Sequence, residues 1–280
     1  MKQYLEILKE ALEKGDDRMD RTGVGTRAIF RRTMRFDLTN GQFPIVTTKK
    51  VFFLGVVTEL IWFLKGLNDN RELQKLGVHI WDGNANDSKW KEKAKFDGDL
   101  GRVYGVQWRH WQGPGGEVDQ IAELLELLKK NPTSRRLLVT AWNPGELSQM
   151  ALPPCHMFFQ CFVRQGKYLD LAMYQRSCDL FLGVPFNISS YALLLTLLAR
   201  FTNLEPGELI HDLGDAHIYL NHIDQVKQQL SREPLALPRL ELDASIKSLD
   251  DLQLDAEFIK NKIRLIDYKF HPPIKAPMAV

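Results

Sequence analysis

The chain has 280 residues, 44% hydrophobic and 26% charged, which is enough for one large core, and no compositional break divides it. Its 37 Lys and Arg nearly balance its 35 Asp and Glu, and the net charge of +2 excludes a general field for nucleic acid or an anionic membrane. Three cysteines without CxxC spacing exclude a disulfide framework and a zinc site. Apolar stretches are shorter than the roughly 18 residues that a membrane span requires. We expect a single cytoplasmic domain over residues 1–280, with no metal.

Hydrophobic spacing and turn signals predict an alternation of helices and strands. The predicted helices cover residues 2–14, 54–64, 119–130 and 187–201, and a further one opens at 214–219. The predicted strands cover residues 34–38, 78–82, 137–142, 157–163, 168–174 and 209–212. A charged surface loop is expected at 87–95.

The Gly166-Lys167 pair predicts a hairpin between the strands 157–163 and 168–174. In an antiparallel pair, the start of the first strand meets the end of the second. Cys155 would then face the segment from Arg176 to Asp179. His156 follows Cys155 directly and points to the opposite face, so it is a poor candidate for the base of a hydrolase.

Cys155 is a candidate nucleophile, because a thiolate beside a guanidinium such as Arg176 is both accessible and reactive. The alternative is an inert, buried cysteine, which is the interpretation for Cys161 and favoured for Cys178. Glu59 lies in the apolar run 54–64, where a carboxylate needs either an arginine partner or a role in proton handling.

Several cationic and hydroxyl side chains together suit a phosphate monoester better than a carboxylate. They are Arg21, Arg135, Arg136, Arg176 and Ser177. Asn187 could read a flat polar ring, since a carboxamide supplies both a donor and an acceptor; it could equally be a helix N-cap.

Several ordered motifs in this sequence strongly resemble those of the thymidylate synthase family. They are Asp20-Arg21-Thr22-Gly23, Thr47-Thr48-Lys49, Glu59 to Leu64, Ser134-Arg135-Arg136, Pro154-Cys155-His156, Tyr174 to Asp179, Gly183 with Pro185-Phe186-Asn187, Gly214 to Tyr219 and Lys275 to Val280. The likeness extends over essentially the whole chain.

The resemblance implies an α/β protein of α+β type, with helices flanking a large, mostly antiparallel twisted sheet that packs on its mate in a homodimer. It implies reductive methylation of dUMP to dTMP, with 5,10-methylenetetrahydrofolate as one-carbon donor and reductant. The implied catalytic residues are Tyr104, Glu59, Cys155, Arg176, Asp179 and Asn187. Those implied for dUMP are Arg21, Gln175, Arg176, Ser177, Cys178, Asp179, Asn187, His217, Ile218 and Tyr219, with Arg135 and Arg136 donated by the other subunit.

The implied folate contacts are Lys49, Phe52, Ile80, Trp81, Asn84, Asp179, Leu182, Gly183, Phe186, Ala279 and Val280. Three residues depart from common family choices: Arg102 stands where proline is frequent, Phe52 where many bacterial members carry histidine, and Asn84 where some carry tryptophan. These departures bear on the shape of the folate site.

Two other functions remain as alternatives. A pyrimidine nucleotide hydroxymethylase would share the fold and the nucleophile but let water capture the exocyclic carbon; Trp81 and the intact C-terminal end favour hydride transfer instead. A nucleic-acid-binding module using Arg135 and Arg136 is disfavoured by the near-neutral charge, so we expect at most weak RNA binding.

Overall fold

The computed structural model describes residues 1–20 and 22–278 of the chain. The α-helices within these ranges are Lys2–Lys14 (α1), Phe53–Leu64 (α2), Asn70–Lys75 (α3), Asp82–Ala85 (α4), Ser88–Lys91 (α5), Tyr104–Arg109 (α6), Gln120–Lys130 (α7), Gly183–Phe201 (α8), Ile223–Leu230 (α9) and Ala256–Lys262 (α10). The strands are Asp16–Arg18 (β1), Thr26–Asp37 (β2), Trp111–Gly113 (β3), Gly116–Val118 (β4), Leu138–Thr140 (β5), His156–Arg164 (β6), Tyr168–Asp179 (β7), Glu205–Tyr219 (β8), Arg239–Leu242 (β9) and Ile263–Ile266 (β10). Short 3-10 turns lie at Leu147–Gln149, Leu220–His222 and Leu249–Asp251.

Six of these strands form one sheet, in the order β1-β2-β8-β7-β6-β5. Strands β7 and β8 run parallel, whereas the other neighbours in this sheet are antiparallel. The parallel pair arises because β7 leads into α8, which crosses over and returns the chain in the same direction as β8. The structure is thus a single α/β domain around a large mixed sheet flanked by helices.

Helices α2 and α8 form the most apolar part of the core. Every residue of α2 from Gly55 to Leu64 is buried, Glu59 included, as the continuous apolar pattern predicts. Helix α8 is long and apolar enough to cross a membrane by length and composition, contrary to the expectation that the apolar stretches of this chain are too short. Because 78% of its most apolar window is buried inside the protein, α8 has the surroundings of a core helix.

The predicted helices at 2–14, 54–64 and 119–130 and the hairpin of β6 and β7 are confirmed. The predicted strand at 78–82 is wrong: this segment turns into α4, and Asp82 there accepts hydrogen bonds from the side chains of Asn70 and Gln74. The helix predicted to open at 214–219 is also wrong, because this segment continues β8 and pairs with both β2 and β7. The loop at 87–95 contains α5, whose Trp90 is buried.

Candidate active site

Cys155 lies immediately before β6, and neighbouring residues hold its backbone from two sides. Its amide donates a hydrogen bond to the Tyr104 hydroxyl (2.7 Å), and its carbonyl accepts one from the Arg176 amide (2.8 Å). The predicted meeting of the two strand ends is therefore confirmed. Cys155 is half-buried, whereas Cys161 and Cys178 are buried. Burial raises the pKa of the Cys155 thiol, and the positive charge of Arg176 opposes that rise.

Arg176 supports the segment that carries Cys155. Its Nε donates to the Pro154 carbonyl (2.9 Å) and its Nη2 to the Pro153 carbonyl (3.0 Å). The guanidinium also lies over the Trp142 ring, 5.1 Å from its centroid. A guanidinium has five N–H groups, so three of those of Arg176 have no hydrogen-bond partner among the described residues and can bind an anion beside the thiol.

Glu59 is 7% exposed and lies next to an aromatic cluster. Its Oε1 accepts a hydrogen bond from Trp81 Nε1 (2.7 Å), and among the described residues it forms no ion pair with an arginine. Burial raises the pKa of Glu59 to about 7, although the hydrogen bond from Trp81 opposes the rise. Trp81 in turn packs against Tyr104, with ring centroids 6.0 Å apart. A carboxyl group with a raised pKa is thus connected to Cys155 through two aromatic side chains, those of Trp81 and Tyr104.

His156 occupies a supporting position behind Tyr104. The two rings stack with centroids 4.1 Å apart, and His156 Nδ1 lies 2.8 Å from the Tyr191 hydroxyl. Burial lowers the pKa of His156 to about 3, so the ring is neutral at physiological pH. It therefore orients Tyr104 rather than exchanging protons with Cys155.

Asn187 lies within α8, which begins at Gly183, so the alternative interpretation as a helix N-cap is wrong. Its Oδ1 accepts a hydrogen bond from Gln175 Nε2 (3.1 Å), which also donates to the Ser177 carbonyl (3.0 Å). The side-chain amides of Gln175 and Asn187 thus form a hydrogen-bonded pair, and Gln175 lies on β7 directly before Arg176 and Ser177.

Asp179 ends β7 and organises the turn into α8. Its Oδ1 accepts hydrogen bonds from the amides of Phe181 (2.9 Å) and Leu182 (3.1 Å). The buried Lys49 donates through Nζ to the Phe181 carbonyl and lies 3.5 Å from the centroid of the Phe181 ring. Burial lowers the pKa of Lys49 to about 8, opposed by the charge of Asp179.

His217 lies opposite Asp179 in the pairing of β7 and β8. Its Nδ1 is 3.1 Å from Asp215 Oδ1, and its ring packs edge-on against Tyr219 at 5.3 Å. The neighbouring Ile218 is fully buried, as is Cys178 on β7. These last two side chains belong to the core, so only their backbone can reach a ligand.

Other predicted residues lie at the margins or elsewhere. Arg135 and Arg136 are exposed, and neither side chain forms a hydrogen bond or ion pair with a described residue. The side chains of the predicted folate residues Ile80, Asn84, Leu182 and Phe186 are half-buried, as is Gly183, and Phe52 is 44% exposed. Arg21, Ala279 and Val280 lie outside the described residues.

Sequence reasoning missed Trp142, which forms the surface under Arg176, and His211, which donates to Gln175 Oε1 (2.8 Å). The only signal for His211 was a polar residue at an inward position of the apolar strand β8. No comparable signal marks Trp142, because its contact depends on a partner in a distant strand.

Within residues 1–20 and 22–278, no three His, Cys, Asp or Glu side chains converge as metal ligands. A sequence model of the family described as thymidylate synthase matches residues 2–280, essentially the whole chain. The chain therefore belongs to the thymidylate synthase family.

Proposed function

We propose that this protein converts dUMP to dTMP, with 5,10-methylenetetrahydrofolate as co-substrate. The observation that carries the proposal is the arrangement around Cys155. Its backbone is hydrogen-bonded to Tyr104 and to Arg176 of β7, and the neighbouring residue of β7, Gln175, forms the amide pair with Asn187. A thiol, an anion-binding guanidinium and a base-reading amide are the groups that addition to a nucleotide base requires. Membership of the family makes the protein a methyltransferase acting in dTMP synthesis.

Cys155 acts as the nucleophile. Its thiolate adds to C6 of the uracil ring, forming an S–C6 bond while the electron pair of the C5=C6 double bond moves onto C5 and O4. The charge of Arg176 favours the thiolate against the cost of burial. The phosphate of dUMP would bind the free N–H groups of Arg176, the Ser177 hydroxyl and Arg21, while His217 and Tyr219 hold the ribose.

Glu59 handles protons at the base. With a pKa of about 7 it can hold or release a proton at physiological pH, which suits a general acid–base group. The hydrogen bond from Trp81 fixes the orientation of its carboxylate.

The predicted folate residues fit a flat heterocycle by their chemistry. Ile80, Leu182 and Phe186 pack against the core but keep part of their apolar surface uncovered. Trp81 follows Ile80 in the chain, Asp179 accepts a hydrogen bond from the Leu182 amide, and Lys49 donates one to the carbonyl of the preceding residue, Phe181. Phe52, Asn84 and Gly183, together with Ala279 and Val280, would complete this surface. The folate supplies the one-carbon unit and the hydride and leaves as dihydrofolate.

A homodimer is part of this proposal. Strand alternation places Phe158, Gln160 and Phe162 on one face of β6; Phe158 stacks on Tyr174 of β7, and Phe162 is 64% exposed. Leu138 of β5 pairs with Gln160 and is 42% exposed. A second copy covering this face would bring the exposed Arg135 and Arg136 to its neighbour's phosphate site. We also place the enzyme in the cytoplasm.

One assay tests the function. The protein is incubated with dUMP and methylenetetrahydrofolate, dihydrofolate is followed by absorbance, and the nucleotide product is identified. Dihydrofolate together with dTMP supports the proposal. Hydroxymethyl-dUMP without dihydrofolate would instead show the hydroxymethylase, and no nucleotide product would remove both.

A further inference from the structure

Three polar side chains form a row from the core of the sheet to the candidate base site. His211 Nε2 lies 2.8 Å from Gln175 Oε1, and Gln175 Nε2 lies 3.1 Å from Asn187 Oδ1. His211 is fully buried and Gln175 is 2% exposed, so solvent cannot replace either contact. Hydrogen bonds at this depth are costly to break.

The direction of every bond in this row follows from one backbone group. Gln175 Nε2 lies 3.0 Å from the Ser177 carbonyl, which can only accept, so the amino end of Gln175 must face it. The same amino group then donates to Asn187, which must present Oδ1. The oxygen of Gln175 consequently faces His211, which must donate.

His211 is suited to that donor role. Its neighbours in the adjacent strands are Met34 on β2 and Met173 on β7, both buried and apolar. Its Nδ1 has no hydrogen-bond partner among the described residues. A proton on Nδ1 would leave a buried donor unsatisfied, so the neutral ring carries its proton on Nε2.

This row matters for the choice of base. Uracil presents an acceptor at O4 and a donor at N3, whereas cytosine presents a donor at N4 and an acceptor at N3. To accept cytosine, Asn187 must turn its amide over, which sets its amino group against that of Gln175. Turning Gln175 as well would place its oxygen against the Ser177 carbonyl, so that two acceptors meet. It would also place its amino group against the N–H of His211, so that two donors meet.

We propose that His211 is a positioning residue that enforces uracil over cytosine by fixing the orientation of Gln175 and, through it, of Asn187. The inference rests on the proposed function, in which Asn187 reads the base. His211 touches no substrate in this scheme and acts only through Gln175.

A matched pair of variants tests this inference. Gln and Met are close in length and shape, but only Gln can donate to Gln175 Oε1. Binding of dUMP and of dCMP, without folate, is measured by calorimetry for the wild type, His211→Met and His211→Gln. We expect His211→Met to reduce the preference for dUMP roughly three- to tenfold, the equivalent of one hydrogen bond, and His211→Gln to preserve it. An equal preference in all three proteins would overturn the inference.

Asn187→Asp separates the inference from the function on which it rests. If Asn187→Asp shifts the preference toward dCMP while His211→Met does not, His211 has no role and Asn187 still reads the base. If the wild type does not prefer dUMP at all, base reading by Asn187 fails as well. Should the His211 variants fold poorly, 15N NMR of the wild-type histidines decides: His211 must show a neutral ring with its proton on Nε2 between about pH 6 and pH 8, and the other tautomer would overturn the proposal.

Discussion

His222 Nε2 lies 2.7 Å from the carbonyl oxygen of Pro277 and so fastens the C-terminal segment to the body of the protein. The His222 ring is fully buried and packs against the rings of Phe181 and Tyr219, with centroids 5.5 and 5.6 Å away. The Phe181 backbone in turn donates a hydrogen bond to Asp179 and accepts one from Lys49. The tail is thereby attached to the same turn that carries the predicted folate residues.

Loss of this attachment should loosen the tail. In His222→Leu we expect faster removal of C-terminal residues by carboxypeptidase and a KM for the folate raised roughly three- to tenfold, because one buried hydrogen bond is lost. The Kd for dUMP should stay within about twofold, because leucine keeps an apolar contact with the Tyr219 ring, which His217 also supports. Equal changes for both ligands, or unchanged digestion, would show that His222 only supports the core.

Replacing the proposed nucleophile, Cys155, should abolish turnover. For Cys155→Ser we expect the rate of dTMP formation to fall by about 10³-fold or more, since a hydroxyl is a far weaker nucleophile than a thiolate. Circular dichroism and dUMP binding check that the protein is folded. Cys161→Ala is the control, because Cys161 is buried in β6 and burial raises its pKa to about 12. Near-normal turnover in Cys155→Ser would remove this residue from the chemistry.

Glu59 should make stability depend on pH. Its pKa is raised from the ordinary 4.5 to about 7, so between these values the folded protein keeps a proton that the unfolded chain has lost. The free energy of unfolding therefore falls as pH rises through this window and stays low above it. Glu59→Gln should remove this dependence. Relative to the wild type, the free energy of unfolding of the variant should therefore be about 2 kcal/mol higher at pH 8 than at pH 5.

Urea unfolding at these two pH values and at fixed protein concentration measures the effect. Glu123→Gln, on the exposed face of α7, is the matched control and should leave the pH dependence of the wild type unchanged. A pH dependence in Glu59→Gln equal to that of the wild type would show that this carboxyl group titrates at an ordinary pH.

Subunit mixing tests the proposed donation of Arg135 and Arg136. Cys155→Ser and the double variant Arg135→Ala/Arg136→Ala should each be inactive. In a mixed dimer, one site combines an intact Cys155 with intact arginines from the other subunit. After joint refolding we expect roughly a quarter of the wild-type activity, because half of the dimers are mixed and each has one complete site. Failure to recover activity above that of either variant alone would place these arginines outside the partner's site.

The sequence predicted the parts of the fold whose signals are local. Helix α2 follows from a continuous apolar run, and the hairpin of β6 and β7 follows from two apolar segments around a Gly-Lys turn. The helix predicted to open at 214–219 is wrong because the Gly, Asp and His of this segment have low strand propensity and conceal the strand. Pairing with strands on both sides overrides that preference.

The same distinction applies to the candidate site. Cys155, Glu59 and Arg176 are candidates from the sequence because each is a reactive or charged residue in an unusual local context. The partners that orient them could not: Trp81 meets Glu59, Trp142 meets Arg176 and His211 meets Gln175 only through strand register and loop packing. Such contacts follow from the tertiary fold, which spacing along the chain does not specify.

The parallel pairing of β7 with β8 also has a consequence for the order of folding. The β6–β7 hairpin joins neighbours in the chain, so it can form early and set Cys155 beside Arg176. The pairing of Asp179 with His217 must wait until α8 has formed and crossed over, and closing such a long loop slows folding. We therefore expect the proposed nucleophile, Cys155, to be in place while the proposed ribose-binding side of the site is still unformed. Nucleotide affinity should then appear only in the last kinetic phase of refolding.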